Sequence, residues 1–329
     1  MTQPLIGRRS ALVLPAILAT PALATPALAQ ARWPERPVRI LMGFPPGGPT
    51  DFVGRLTATG LQEQLGQTMV FENRPGANSV LAAEAVARAA PDGQTLLFAS
   101  NSLVMNASVY ARLPYDPVAS FAPIGMVATS PNVLWCGASQ PWRSLDEMVA
   151  AAKARPGTLG YASTGNGGNG HFGGETLRQA MGIDITHVPY RGTAPALLDV
   201  VAGRVPLMLQ TLVGAIGPYR EGQLRPLVVF GERRAPELPD VPTLKELGQE
   251  VADSGVWFGV LAPAGTPQPI VLRASKALSG FLSKPEARAQ LATQASVAAF
   301  AGPDDFATRI RADVGAWAEV ARRAGMRPE

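Results

Sequence analysis

Apolar residues along this chain fall into short β-rich runs that alternate with helical stretches, the pattern that builds a parallel sheet covered by helices on both faces. Residues 38–44 read as the first strand, followed by a turn and a helix over 50–65 that Gly66 ends. Residues 80–89 are apolar except for Glu84 and Arg88, which sit four apart and pair on one stripe, so this helix is expected to be largely buried. Pro91-Asp92-Gly93 turns the chain into a strand at 94–99. The alternation restarts near residue 131. Strands are expected at 133–136, 158–163, 185–189, 205–210 and 227–230, and helices after the Ser144 and Glu147 capping pair, at 171–181, at 195–201 and near 213–221. A strand at 256–261 and helices at 269–283, 285–295 and 303–324, parted by prolines, complete the chain. The restart and the return near 255 suit an inserted domain, 131–254, within a first domain of 30–130 plus 255–329.

The segment before residue 30 is processing sequence. Arg8 and Arg9 precede an uncharged stretch over 10–29 that closes on Ala27-Leu28-Ala29, the small-residue pattern of a secretory leader. Pro15, Pro21 and Pro26 interrupt it, which suits cleavage better than membrane spanning. The adjacent arginines also fit the twin-arginine export route. About 300 residues remain after residue 29, enough for two domains with their own cores.

Charge and rare residues narrow the function classes. The chain has 29 Lys and Arg against 25 Asp and Glu, and setting aside Arg8 and Arg9 leaves 27. No basic run or aromatic-interleaved stripe accompanies this small excess, so no nucleic-acid partner is expected. No second apolar segment is long enough to cross a bilayer, so the mature chain is expected to be soluble, and the leader sends it out of the cytoplasm, into the periplasm of a bacterium. Cys136 is the sole cysteine, excluding an internal disulfide, and reads as a core residue of the 133–136 strand. His171 and His187 are the only histidines and lack metal-pair spacing, so neither a metal nor a cofactor is expected. No nucleophile elbow, phosphate-binding lysine loop or H-E-x-x-H helix is present, so no enzyme is expected, although a Ser–His–Asp set, recognised by geometry and not by order, stays open.

Two loops between a strand and a helix can hold an anion. In the first, Phe44 to Asp51, Gly47 and Gly48 let the backbone approach a ligand, while Thr50 and Asp51 suit either helix capping or ligand contact. The second runs from Ser163 through Thr164, Asn166 and Asn169 to His171, and its Gly165, Gly167 and Gly170 have dinucleotide spacing. The acidic ribose partner is absent, however, since Arg191 stands where that residue belongs. What both readings share is an anion at a helix start. Ser100 and Asn101 follow the 94–99 strand at the end where α/β sheets bind ligands, or form a polar turn. His171 suits capping or packing as well as binding, and Asp199 is either solvated or faces the cleft.

The residues resemble the Bug or TctC-like substrate-binding proteins of tripartite tricarboxylate transporters. The resemblance is carried by Trp33-Pro34, Pro46-Gly47-Gly48-Pro49-Thr50-Asp51, Glu72-Asn73-Arg74-Pro75-Gly76-Ala77, Leu113-Pro114-Tyr115-Asp116-Pro117, His187-Val188-Pro189-Tyr190-Arg191-Gly192 and Leu238-Pro239-Asp240-Val241-Pro242-Thr243, in order along nearly the whole chain. It implies a periplasmic-binding-protein fold, two α/β lobes with mostly parallel sheets joined by crossing hinge strands. It also implies a small carboxylate held by backbone amides and water, with the two glycine loops meeting across the cleft and Asp199 touching ligand or water. Membrane transporter subunits or a sensor ectodomain would be the partners of a monomeric chain. Arg191 replaces the usual lysine of this family, which leaves ligand identity open.

Overall fold

The computed structural model describes Thr2 and residues 33–231, 233–249 and 255–326; the remainder of the leader read at 1–29 lies outside them. The chain opens with β1 (Val38–Met42), α1 (Pro49–Leu65), β2 (Met69–Asn73), α2 (Val80–Ala87), β3 (Thr95–Ser100), α3 (Ser102–Val109) and β4 (Phe121–Ser130). Past Pro131 it continues as β5 (Asn132–Gly137), α4 (Leu145–Ala154), β6 (Leu159–Ser163), α5 (Asn169–Met181), β7 (Ile185–Pro189), α6 (Thr193–Val201), β8 (Leu207–Thr211), α7 (Leu212–Arg220) and β9 (Leu224–Phe230). It then forms β10 (Val256–Pro263), α8 (Gln268–Leu282), α9 (Pro285–Thr293), β11 (Val297–Ala301) and α10 (Pro303–Arg323).

Two sheets result, one ordered β11-β4-β10-β3-β1-β2 and the other β7-β6-β8-β5-β9. Strands buried on both faces need apolar residues at every position, and all eight residues of β10 and all six of β5 are buried. Both sheets are mixed, where the alternation of elements predicts mostly parallel ones. β1 runs parallel to β2 and β3, and β6 to β7 and β8, but β10 is antiparallel to β3 and β4, β11 to β4, and β5 to β8 and β9. The cause is the double passage between sheets: β4 leads out through Pro131, and β10 runs the opposite way beside it, with Val256 facing Ser130.

Four elements escape the sequence pattern. β2 buries only one end, β4 contains Pro123 and Gly125 and pairs with β10 through register shifts, and β11 is an alanine-rich edge strand. α3 is short and carries Ser102, Asn106 and Ser108 among its apolar residues. The local signals that were legible appear as expected: Gly66 and Gly182 end α1 and α5 in the left-handed conformation, Glu84 and Arg88 pair at 2.8 Å, and Cys136 is buried in β5. Ser144 caps α4 by accepting from the Glu147 amide, while the Glu147 carboxylate accepts from the amide of Arg143.

The cores of the two sheets interlock. Val53, Leu61 and Phe281 cover one face of the first sheet through α1 and α8, and Leu103, Phe306 and Trp317 cover the other through α3 and α10. Phe172 of α5, though its helix follows the second sheet's β6, is fully buried in the α3 and α10 cluster, its ring edge-on to Trp317 at 5.2 Å. Val213 of α7 enters the α1 and α8 cluster, and Ala295 after α9 enters a core of the second sheet. Each such exchange removes apolar surface from water, about 1.5–3 kcal/mol for a ring the size of Phe172. At the crossing, the Ser130 hydroxyl donates to the Ala295 carbonyl at 3.0 Å and accepts from the Val213 amide at 3.2 Å.

Candidate ligand-binding cleft

The α1 start is open to a ligand because no described side chain caps it. Gly47 takes φ +84°, a left-handed turn that strains other residues, and Gly48 then extends at φ −85° and ψ 171° into Pro49, the first helical residue. Phe52 donates to the Gly48 carbonyl at 3.1 Å, and no side chain caps the helix. Thr50 and Asp51 were both candidate caps. Asp51 instead accepts from the Gly47 amide ahead of the helix at 3.0 Å, from Arg55 Nε one turn along it at 3.0 Å and from Asn73 Nδ2 of β2 at 2.8 Å. Burial would raise the Asp51 pKa, but Arg55, Gly47 and Asn73 together outweigh it and hold the carboxyl below its usual range.

The α5 start repeats this build. Gly167 has φ +66°, Gly168 has φ −85° and ψ 170°, Phe172 donates to the Gly168 carbonyl at 3.1 Å, and again no side chain caps the helix. In the place of Asp51 stands His171, whose Nδ1 accepts from the Gly167 amide at 3.1 Å. Gly170 is required by packing: a Cβ there would lie 2.4 Å from the Leu209 carbonyl oxygen. The glycine spacing therefore has a local cause without a dinucleotide. His171 stacks on His187 with ring centroids 4.0 Å apart and planes 6° from parallel, and His187 Nε2 meets the Ser163 hydroxyl at 2.6 Å. Burial lowers the pKa of His171 to about 4, and burial together with His171 lowers that of His187 to about 3, so both rings are neutral near pH 7.

A cavity of about 1070 Å³ lies where the two helix starts face each other. Phe44, Gly47, Gly48, Thr50 and Asp51 line it from the α1 side, Ser100 and Asn101 from the end of β3, and Thr164 and Asn169 from the α5 side. Asn101 Nδ2 donates across to Asn169 Oδ1 at 3.0 Å and to the Gly255 carbonyl at 3.1 Å. Asn169 Nδ2 is buried and has no acceptor. Four other candidates stand off the wall. Ser163 is fully buried and held by His187 and Gly165, Asn166 is exposed, His171 turns back to Gly167, and Asp199 is taken by Tyr190 Oη at 2.6 Å and by Arg204. The hydrogen bond from Tyr190, then Arg204, keeps the Asp199 pKa low.

Sequence reasoning overlooked much of the apolar wall. Phe52, Arg55, Leu56 and Thr59 contribute one stripe of α1, and Val213, Val256 and Phe258 close the rear. The signal was available in the spacing of 52, 55, 56 and 59, which keeps one helix face turned to the loop that precedes it. Among the described residues no group of three His, Cys, Asp or Glu could hold a metal, and no helix is long and apolar enough to cross a membrane.

Residues 53–325 match the TctC family, the tripartite tricarboxylate transporter family receptor. The chain belongs to the TctC family. Protein BugT of Bordetella pertussis is 34% identical over 295 residues, covering 89% of this chain and 90% of that protein. Among solved structures, Rpa4515 of R. palustris with adipate has a TM-score of 0.84 at 34% identity, covering 90% of this chain and 100% of that one. MatC of Rhodopseudomonas palustris with bound malate has a TM-score of 0.78 at 32% identity, covering 88% and 99%. The fold is that of periplasmic binding proteins, and this TctC-family chain carries the family's architecture with an uncapped helix start on each side of its cavity.

Proposed function

We propose that this TctC-family protein captures a small carboxylate between two lobes, residues 30–130 with 255–329 and residues 131–254, and delivers it to the membrane subunits of a tripartite tricarboxylate-type transporter. The observation that carries the reading is the pairing of the α1 and α5 starts on one cavity, with the Asn169 Nδ2 donor buried and lacking an acceptor beside them. Each helix start offers backbone N–H groups and the positive end of a dipole, which suit an anion. The carboxylate oxygens accept from these donors and from Asn169, replacing water as the lobes close. In a water-poor cleft such bonds strengthen. Ser100, Asn101, Thr50 and Thr164 complete the polar surface around the solute.

The adipate and malate of the two related structures support the ligand class. Residues 1–29 act as the leader that sends the chain to the periplasm, with the Arg8-Arg9 pair suited to the twin-arginine route. We take the cleft as one for binding and not for catalysis.

Calorimetric titration of protein freed of co-purified solute, against dicarboxylates, tricarboxylates, aromatic acids and amino acids, tests the reading. Saturable heat with at least one acid is expected. No binding to any of them would overturn it.

A further inference from the structure

We infer that Arg191 is the specificity-determining residue of this cleft: it recognises a second anionic group, so that the protein selects a dicarboxylate over the monocarboxylate of the same length. The inference rests on the carboxylate reading above. Among the described residues, the charged ones on the cavity wall are Asp51, Arg55 and Arg191. Asp51 and Arg55 neutralise each other at 3.0 Å. Arg191 has no hydrogen bond or ion pair among the described residues, and the nearby carboxylate of Asp199 is already engaged by Tyr190 and Arg204. Among the described residues the cleft therefore carries one uncompensated guanidinium, a group whose planar fork grips a carboxylate through two parallel hydrogen bonds.

Its place in the fold sets where the second anion lies. β7 runs parallel beside β6 with Pro189 facing Ser163, and the Tyr190 amide donates to the Ser163 carbonyl at 3.0 Å. The Arg191 backbone thus leaves the sheet one strand further out than the α5 loop, an offset of about 5 Å. Carboxylates seated at both points are separated by several bonds. The cavity wall mixes apolar Phe52, Leu197 and Val213 with polar Thr193, Gln210 and Gln294.

The test is calorimetric titration of solute-free, full-length mature protein with two matched pairs, adipate against hexanoate and suberate against octanoate. Wild type is expected to favour each diacid by at least about tenfold. In Arg191→Gln that ratio falls towards unity, and in Arg191→Lys, which keeps the charge and loses the fork, part of it is retained. A ratio unchanged in Arg191→Gln, both affinities weakening together, overturns the assignment and leaves Arg191 a structural residue. Equal affinity for diacid and monoacid in wild type also overturns it while the carboxylate reading stands. Failure of every acid to bind overturns both.

Discussion

Gly48 and Gly168 hold the same backbone conformation, φ −85° with ψ 171° at the first and 170° at the second, each directly ahead of a helix that no side chain caps. Around them the sequence repeats as Gly47-Gly48-Pro49-Thr50-Asp51-Phe52 and Gly167-Gly168-Asn169-Gly170-His171-Phe172. These dihedrals are open to any residue, so glycine at 48 and 168 is not demanded by the backbone. A glycine here leaves the helix donors for something other than the chain.

Placing a cap at either position should therefore separate stability from binding. In Gly48→Asp and Gly168→Asp the carboxylate can accept from the helix N–H groups, so melting temperature is expected to hold or rise, by a few tenths of a kcal/mol in stability. Affinity for a carboxylate should fall at least about tenfold, because a fixed negative charge now occupies the anion position. Thermal melts and titration calorimetry on the same samples check both halves, and unchanged affinity would refute the assignment of these helix starts.

Gly170→Ala acts through packing. Its Cβ would press to 2.4 Å on the Leu209 carbonyl oxygen, a backbone atom of β8 that cannot swing aside. Relieving this moves α5 off the sheet at a cost of about 1–3 kcal/mol. Urea unfolding should show a lower midpoint with the same slope.

Phe172→Ala tests the interlocked cores. The ring is fully buried against Trp317, and its removal leaves a cavity between α5 and α10 costing about 3–5 kcal/mol. A loss below about 1 kcal/mol by urea unfolding would mean that α5 does not depend on α10.

The stacked histidines predict acid lability with a defined sign. Both rings have pKa values lowered in the fold, His171 to about 4 and His187 to about 3, against 6.5 for the ordinary residue. Between these limits the unfolded chain binds more protons, so stability from the neutral pair is fully present above pH 6.5 and lost as pH falls towards 3. Tyr161, stacked on His187, and Glu175, bonded to Tyr161, are the other titratable groups of this cluster. Urea midpoints of wild type and the His171→Gln, His187→Gln double variant at pH 7, 5 and 4 should diverge, with wild type losing more on acidification. Parallel loss in both would remove the pair from the explanation.

Much of this architecture was legible because its signals are local. Glycine pairs between a strand and a helix, the glycines ending α1 and α5, and the Glu84 and Arg88 spacing each act within a few residues, and the loops at 44–51 and 163–171 were identifiable from them. What escaped depends on distant partners. β4 is defined by β10 across the chain, and the antiparallel pairings of β10 with β3 and β4 and of β11 with β4 make the sheet mixed. Asp199 lies two residues beyond Leu197 on α6, a rotation of about 200° that turns it away from the cavity that Leu197 lines. The sequence places it near the cleft, but only the packing of α6 decides which side it faces. His171 likewise sits at the right position, yet its ring folds back because the Gly167 amide offers it a hydrogen bond.

The Ser130 hydroxyl, bonded at once to Ala295 and Val213, sits one residue from the point where the chain crosses between sheets. In a jaw that swings, a clasp survives only close to the pivot, where arc length is small. Rotation about the Pro131 crossing would carry Gly48 and Gly168 apart by a distance that grows with their radius, while this one oxygen scarcely travels. If the two proposed lobes swing about Pro131, a single side chain thus stays fastened to both of them.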